Sequence, residues 1–281
     1  MPGTLFVVAT PIGNLEDITV RALRVLREVA VIAAEDTRRT AQLLARHAIA
    51  TPTTSLHQHN EAVKAGSLVA RLQRGDSIAL VSDAGTPTVS DPGGLLIRAV
   101  IDAGLRVEPI PGPSAVLAAL AASGLPTDSF AFLGFPPIRA KDRSGWFGRV
   151  RAIGGTVVFF EAPHRIQATL QELERHFGDC AVVVCREMTK IHEELVRGPI
   201  SVVSKRVLEG RGEFTVVIQI GQIPDIDHLK AQSTAEMIAE FGAMTKERGT
   251  TKRRAMNVLG RKYGIPPNRI YAMLEEAKKS G

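Results

Sequence analysis

A chain of 281 residues, 44% hydrophobic and 23% charged, holds enough apolar material for two ordinary domains and a small third piece, and is neither disordered nor fibrous. No apolar run approaches the roughly 20 residues of a membrane-spanning helix. The net charge of +6 is gathered at one end: residues 246–281 carry ten Lys or Arg against three acidic residues, whereas the rest is nearly balanced.

The first apolar run, residues 5–9, has no charged leader and runs straight into a turn, so it reads as a strand and not a signal peptide, and a cytoplasmic protein is expected. The spacing of Val20, Leu23 and Leu26 predicts a helix over 17–29. A strand at 31–34 and helices at 37–47 and 61–74 follow, then a strand at 78–81, a helix at 92–103 and a strand at 107–110. Asp91 before Pro92 reads as an N-cap followed by a first-turn proline. This alternation predicts an α/β layer with a largely parallel sheet.

Three of the strands end in loops of small residues. Thr10-Pro11-Ile12-Gly13-Asn14 follows the first, Ser82-Asp83-Ala84-Gly85-Thr86-Pro87 the strand at 78–81, and Pro111-Gly112-Pro113-Ser114-Ala115 the strand ending at Ile110. Small residues let the backbone approach a bound molecule closely. Three such loops predict one ligand cleft.

From 113 to 223 the chain is richer in strands, at 130–134, 156–160, 181–185 and 214–220, with helices at 114–123, 163–177 and 201–208. A second α/β domain is expected, with a basic, mobile connector at 134–155. Cys180 and Cys185, on opposite faces of a strand and about 16 Å apart, form neither a disulfide nor a zinc site. Ile223-Pro224-Asp225 marks a boundary, so the expected domains are 1–112, 113–223 and 224–281. Helices at 251–263 and 268–277 make the last a basic helical pair resembling a helix-turn-helix. Its charge suits a nucleic-acid backbone or a solvated tail alike.

Taken in order, the three loops together with Glu35-Asp36-Thr37-Arg38 and Glu161-Ala162-Pro163-His164-Arg165 closely resemble a known family. It is that of the bacterial 16S ribosomal RNA cytidine 2′-O-methyltransferases, within the tetrapyrrole-methylase superfamily of S-adenosylmethionine enzymes. The similarity spans about residues 4–220. It implies two α/β domains with the methyl donor in the cleft between them, and a homodimer acting on small-subunit ribosomal RNA; the small C-terminal helical domain is read from the residues alone. This chain has one glycine in its first loop, where tetrapyrrole-modifying relatives have several. Ala162 stands where the family usually has serine.

By this resemblance the donor contacts are Pro11, Ser82, Asp83, Ala84, Ser114 and Ala115, with Val89 or Phe160 against the adenine. Asp83 suits the donor's ammonium or ribose hydroxyls, and Ser114 its carboxylate. No metal is required. Glu161 and Asp36 lead the candidates for proton acceptor, ahead of Glu35, His164, Lys190 and the cluster from His57 to Glu61; Asp36 also reads as part of an acidic helix start. Arg38 and Arg165 either clamp RNA phosphates or form internal ion pairs. Lys252, Arg253 and Arg254 belong to the basic tail expected to grip RNA. Methylation of a small tetrapyrrole is the enzymatic alternative, and a helix-turn-helix regulator of DNA the alternative outside enzymes.

Overall fold

The computed structural model describes residues 1–207 and 212–221, and of the remainder 240–241, 244–245, 255–256 and 258–259. The chain divides into two compact units, Met1–Gly221 and Gln222–Gly281. The elements below all belong to the first.

The first sheet contains β1 (Thr4–Val8), β2 (Val31–Ala34), β3 (Thr53–Ser55), β4 (Ile78–Val81) and β5 (Arg106–Ile110). They pair in the order β3-β2-β4-β1-β5, all parallel. Every residue of β2 and β4 is buried, because crossover helices cover both faces of a parallel sheet. Helices α1 (Val20–Glu28), α2 (Thr37–Arg46), α3 (Glu61–Gln73) and α4 (Gly94–Asp102) supply that cover. The chain leaves β1 toward one edge and β4 toward the other. Their adjacent carboxyl ends are thus a topological switch point, the usual place for a ligand in such sheets.

The second sheet contains β6 (Phe130–Phe132), β7 (Gly155–Glu161), β8 (Ala181–Arg186), β9 (Glu194–Pro199) and β10 (Phe214–Ile220), in the order β6-β7-β10-β8-β9. Only β6 and β7 pair in parallel. Helix α5 (Ala115–Ser123) packs Val116, Ala119 and Leu120 on one face, against Val158, Val183 and Val217. On the other face lie α6 (Ala140–Ile153), α7 (Ile166–Phe177) and α8 (Ile200–Arg206). The α/β architecture of two layered sheets is the expected one.

Two expectations need correction. The stretch 134–155 is not a mobile connector: α6 occupies most of it and buries Trp146, Phe147 and Val150. Burying one such side chain contributes about 1.5–3 kcal/mol, which outweighs the local excess of basic residues. Nor does α4 begin at Pro92. Its N-cap is Gly93, at φ 121°, and a side chain there would meet Leu80 Cδ2 at 2.7 Å. Instead, the buried carboxylate of Glu61 accepts the amide of Leu96, at 2.9 Å, in the first turn of α4.

Both cysteines are free, and burial pushes the Cys185 thiol up to about 11, so it is an unreactive packing group. Among the described residues no helix is long and apolar enough to cross a membrane, and no group of three or more His, Cys, Asp or Glu is placed to hold a metal ion.

Candidate active site

The three small-residue loops meet. Thr10 and Gly85 pair as an isolated antiparallel bridge, and the Thr86 hydroxyl donates to the carbonyl of Pro113 at 3.3 Å. Four residues of the second loop lie in the left-handed region: Gly85 at φ 80°, Thr88 at 73°, Ser90 at 69° and Gly93 at 121°. For Thr88 and Ser90 this costs of the order of 1–3 kcal/mol each. The first loop also abuts the connection between β8 and β9, where the amide of Asn14 donates to Thr189 Oγ1 at 3.0 Å.

Above the switch point lies a cavity of about 440 Å³, bounded by the loops on one side and by β7 and β10 on the other. Its apolar lining includes Ile12, Val89, Phe135, Phe160 and Met188, with the Phe135 and Phe160 rings 5.4 Å apart. Ser114, Ala115 and Val116 bring in the start of α5. The Ser114 hydroxyl accepts the Leu117 amide at 3.5 Å, and the first amides of a helix have no partner within it. A second cavity, of about 320 Å³, adjoins the first and shares Ile12, Arg39, Asp83, Ala84 and Glu213 with it.

The acidic end of the larger cavity is formed by Glu35, Asp83 and Asp91. Asp83 and Glu35 tie the ends of β4 and β2 together. The amide of Asp36 donates to Asp83 Oδ1 at 3.0 Å, and that of Asp83 to Glu35 Oε2 at 3.3 Å. Arg39 pairs with Asp83 at 3.4 Å. Burial raises the pKa of Glu35, and the charges of Asp83 and Asp36 add to the rise. Burial likewise pushes Asp91 up to about 6, reinforced by Glu35 and Asp83 and opposed by a hydrogen bond from Ser82. A carboxylate poised near neutrality beside an apolar pocket is the kind of group that accepts a proton during catalysis.

The expected donor contacts divide between the cavities. Val89, Ser114 and Ala115 line the larger, Pro11 and Ser82 the smaller, and Asp83 and Ala84 both. The two expected proton acceptors have other work. Asp36 caps α2 and is bound through three hydrogen bonds by Arg38, whose amide, Nε and Nη2 lie within 2.9–3.1 Å. These bonds hold its carboxyl down to about 2, too weak a base for a hydroxyl proton, and it does not line the cavity. Glu161 does line it, but its buried carboxylate accepts the Thr169 hydroxyl at 2.6 Å and the Ala162 amide at 2.8 Å, with Arg165 at 3.4 Å.

Arg165, expected either as a phosphate clamp or in an internal ion pair, is in the ion pair with Glu161 and donates also to the carbonyls of Pro136 and Pro137. Arg38 is 89% exposed in its side chain while paired with Asp36. Lys190 lines the smaller cavity; His164 and His57 line neither. Lys252, Arg253 and Arg254 lie outside the described residues. Asp91 lines the larger cavity and was not among the residues assigned a site role from sequence. Its only signal was its place in the small-residue loop, where the following proline pointed to a helix cap.

A family model described as tetrapyrrole (corrin/porphyrin) methylases matches residues 4–203. A protein of Xylella fastidiosa (strain Temecula1) named ribosomal RNA small subunit methyltransferase I is 44% identical over 259 residues, 85% of this chain and 95% of the relative. The chain belongs to the tetrapyrrole methylase family, in its small-subunit ribosomal RNA methyltransferase branch. For this tetrapyrrole methylase, a protein of the same name from Synechocystis sp. is 39% identical over 99% of the chain and 100% of the relative. Among solved structures, uroporphyrin-III C-methyl transferase from Thermus thermophilus, complexed with S-adenyl homocysteine, has a TM-score of 0.56 at 19% identity, covering 77% of this chain and 97% of that one. That likeness confirms the methylase fold.

Proposed function

We propose that this chain transfers the methyl group of S-adenosylmethionine to the ribose 2′-hydroxyl of a cytidine in small-subunit ribosomal RNA. The observation that carries the reading is end-to-end likeness to proteins named for ribosomal RNA methylation, 39% identity over 99% of the chain in one case. The lining of the larger cavity fits the donor. It offers apolar side chains and two rings for a base, carboxylates for a cationic centre, and a helix start for a carboxylate.

When bound, S-adenosylmethionine supplies a methyl group made electrophilic by its sulfonium. Phe135, Phe160 and Val89 hold the purine and keep water out. Asp83 and Glu35 face the cationic part, while Ser114 and Ala115 receive the carboxylate. Alignment of hydroxyl and methyl by these walls is worth up to about 7–11 kcal/mol. Asp91 takes the hydroxyl proton on a carboxylate oxygen, a role worth roughly 10²–10⁴-fold. Pro11, Ser82 and Ala84 shape the rim where donor and acceptor meet.

The same reading assigns the chain three domains, 1–112, 113–223 and 224–281, a homodimeric state and the cytoplasm. Arg38 and the tail residues Lys252, Arg253 and Arg254 are proposed to hold the RNA backbone. To test it, the protein is incubated with labelled donor and purified small ribosomal subunits, and the RNA is digested for mass spectrometry. A mass gain on the ribose of one cytidine is expected. A methylated base, or label entering only a tetrapyrrole, would overturn the assignment.

A further inference from the structure

Resting on that reading, we propose that the smaller cavity receives the target nucleoside and that one face of α2 carries the adjoining RNA strand away from it. The two cavities share Arg39, Asp83 and Ala84 as a common wall. In-line transfer needs donor and acceptor to meet across such a boundary, so the smaller cavity is placed for the acceptor once the larger holds the donor.

Charge decides what fits there. Arg39 is paired with Asp83 at 3.4 Å. Lys190 is paired with Glu187 at 2.9 Å and Glu213 at 3.3 Å. With its cations matched, the cavity suits a neutral sugar and base better than a phosphate. Pro11 and Leu43 give it apolar surface, and Thr40 and Gln42 give it polar groups.

Phosphate recognition lies farther along the same helix. Arg39, Gln42 and Arg46 recur at i, i+3 and i+7 and so share a face of α2. Arg39 stands at the common wall and Gln42 in the smaller cavity. Arg46 stands in an open groove beyond, which Lys190 also lines. Unlike Arg38 and Arg39, Arg46 has no ion-pair partner among the described residues. The face thus passes from a charge-matched pocket to an unmatched cation, the order in which a nucleoside and its flanking phosphate would meet it.

The test compares the unaltered full-length protein with Arg46→Ala, Arg46→Glu and Gln42→Ala. Methyl transfer to 16S ribosomal RNA in purified small subunits is measured across salt concentrations, and donor affinity by calorimetry. Arg46→Ala should raise the KM for subunits roughly tenfold, as for one charge-assisted contact, and flatten the logarithmic salt slope by about 0.7. Arg46→Glu should do more, and Gln42→Ala should raise KM without changing the slope. Donor affinity should hold in all three. An unchanged KM and salt slope in Arg46→Glu, with the unaltered protein active, overturns this inference and leaves the proposed function standing. Failure of the unaltered protein to methylate ribosomal RNA overturns both.

Discussion

Thr10 and Gly85 exchange two backbone hydrogen bonds, of 2.8 and 2.9 Å, across the adjacent carboxyl ends of β1 and β4. This bridge joins two loops 75 residues apart in sequence into one wall. Gly85 takes part with a left-handed φ of 80°, which glycine adopts at little cost.

The packing of the first loop on the connection between β8 and β9 makes Gly13 sensitive. A Cβ there would stand 2.5 Å from Lys190 Cγ, 2.7 Å from Thr189 Oγ1 and 2.8 Å from the carbonyl oxygen of Met188. The lysine can yield, but the carbonyl is backbone. Gly13→Val should therefore destabilise the protein by about 1–3 kcal/mol in urea unfolding. It should also weaken donor binding, since Met188 lines the larger cavity. An unfolding midpoint equal to that of the parent would show that the loop does not bear on the connection between β8 and β9.

Asp83 lies on the wall common to both cavities. Removing a charged hydrogen-bonding partner costs about 1.5–3 kcal/mol, so Asp83→Ala should bind S-adenosylmethionine roughly 10–100-fold more weakly by calorimetry. Unchanged affinity in a folded variant would remove Asp83 from the donor site.

Asp91 predicts a pH dependence of both stability and rate. Its carboxyl titrates at about 6 in the folded chain against an ordinary value of 3.8, so the folded state holds the proton more tightly than the unfolded one. Stability should therefore decline as pH rises from 3.8 to about 6, and the loss should persist above that window. Asp91→Asn should abolish this part of the slope and stabilise the protein at pH 7. If Asp91 accepts the hydroxyl proton, methyl transfer should rise through pH 6 in the parent, and the variant should lose that limb. Superposable rate profiles would exclude Asp91 as the base.

Glu161 is expected to matter for folding more than for chemistry. Glu161→Ala strands the Thr169 hydroxyl, the Ala162 amide and the Arg165 guanidinium in a buried setting. The loss should be about 3–5 kcal/mol, with Glu161→Gln intermediate because it keeps an acceptor. A Glu161→Ala protein of parental stability and donor affinity, yet without transferase activity, would restore Glu161 to the chemistry.

What could be read from sequence followed from how each feature is encoded. Val31–Ala34 and Ile78–Val81 were legible because strands buried on both faces are unbroken apolar runs. The edge strand Thr53–Ser55 has only polar side chains, and Glu194–Pro199 mixes charge, glycine and proline, so neither stood out. In α6 the buried Trp146, Phe147 and Val150 were hidden among arginines. Whether a carboxylate is available or occupied depends on partners that local spacing does not reveal. Asp36 is occupied by Arg38 two residues on, Glu161 by Thr169 eight residues on, and Glu61 by an amide 35 residues away.

That last contact bears on how the larger cavity can change. The stretch from β4 to α4 is held at its start by Thr10 and at its far end by Glu61, which is itself anchored in α3. Most surface loops absorb an added or deleted residue by bulging into solvent. This one is moored on both banks, so a change of one residue in its length is taken up in the outline of the cavity. The shape of that cavity is written as much in the count of residues between two fixed points as in their identity.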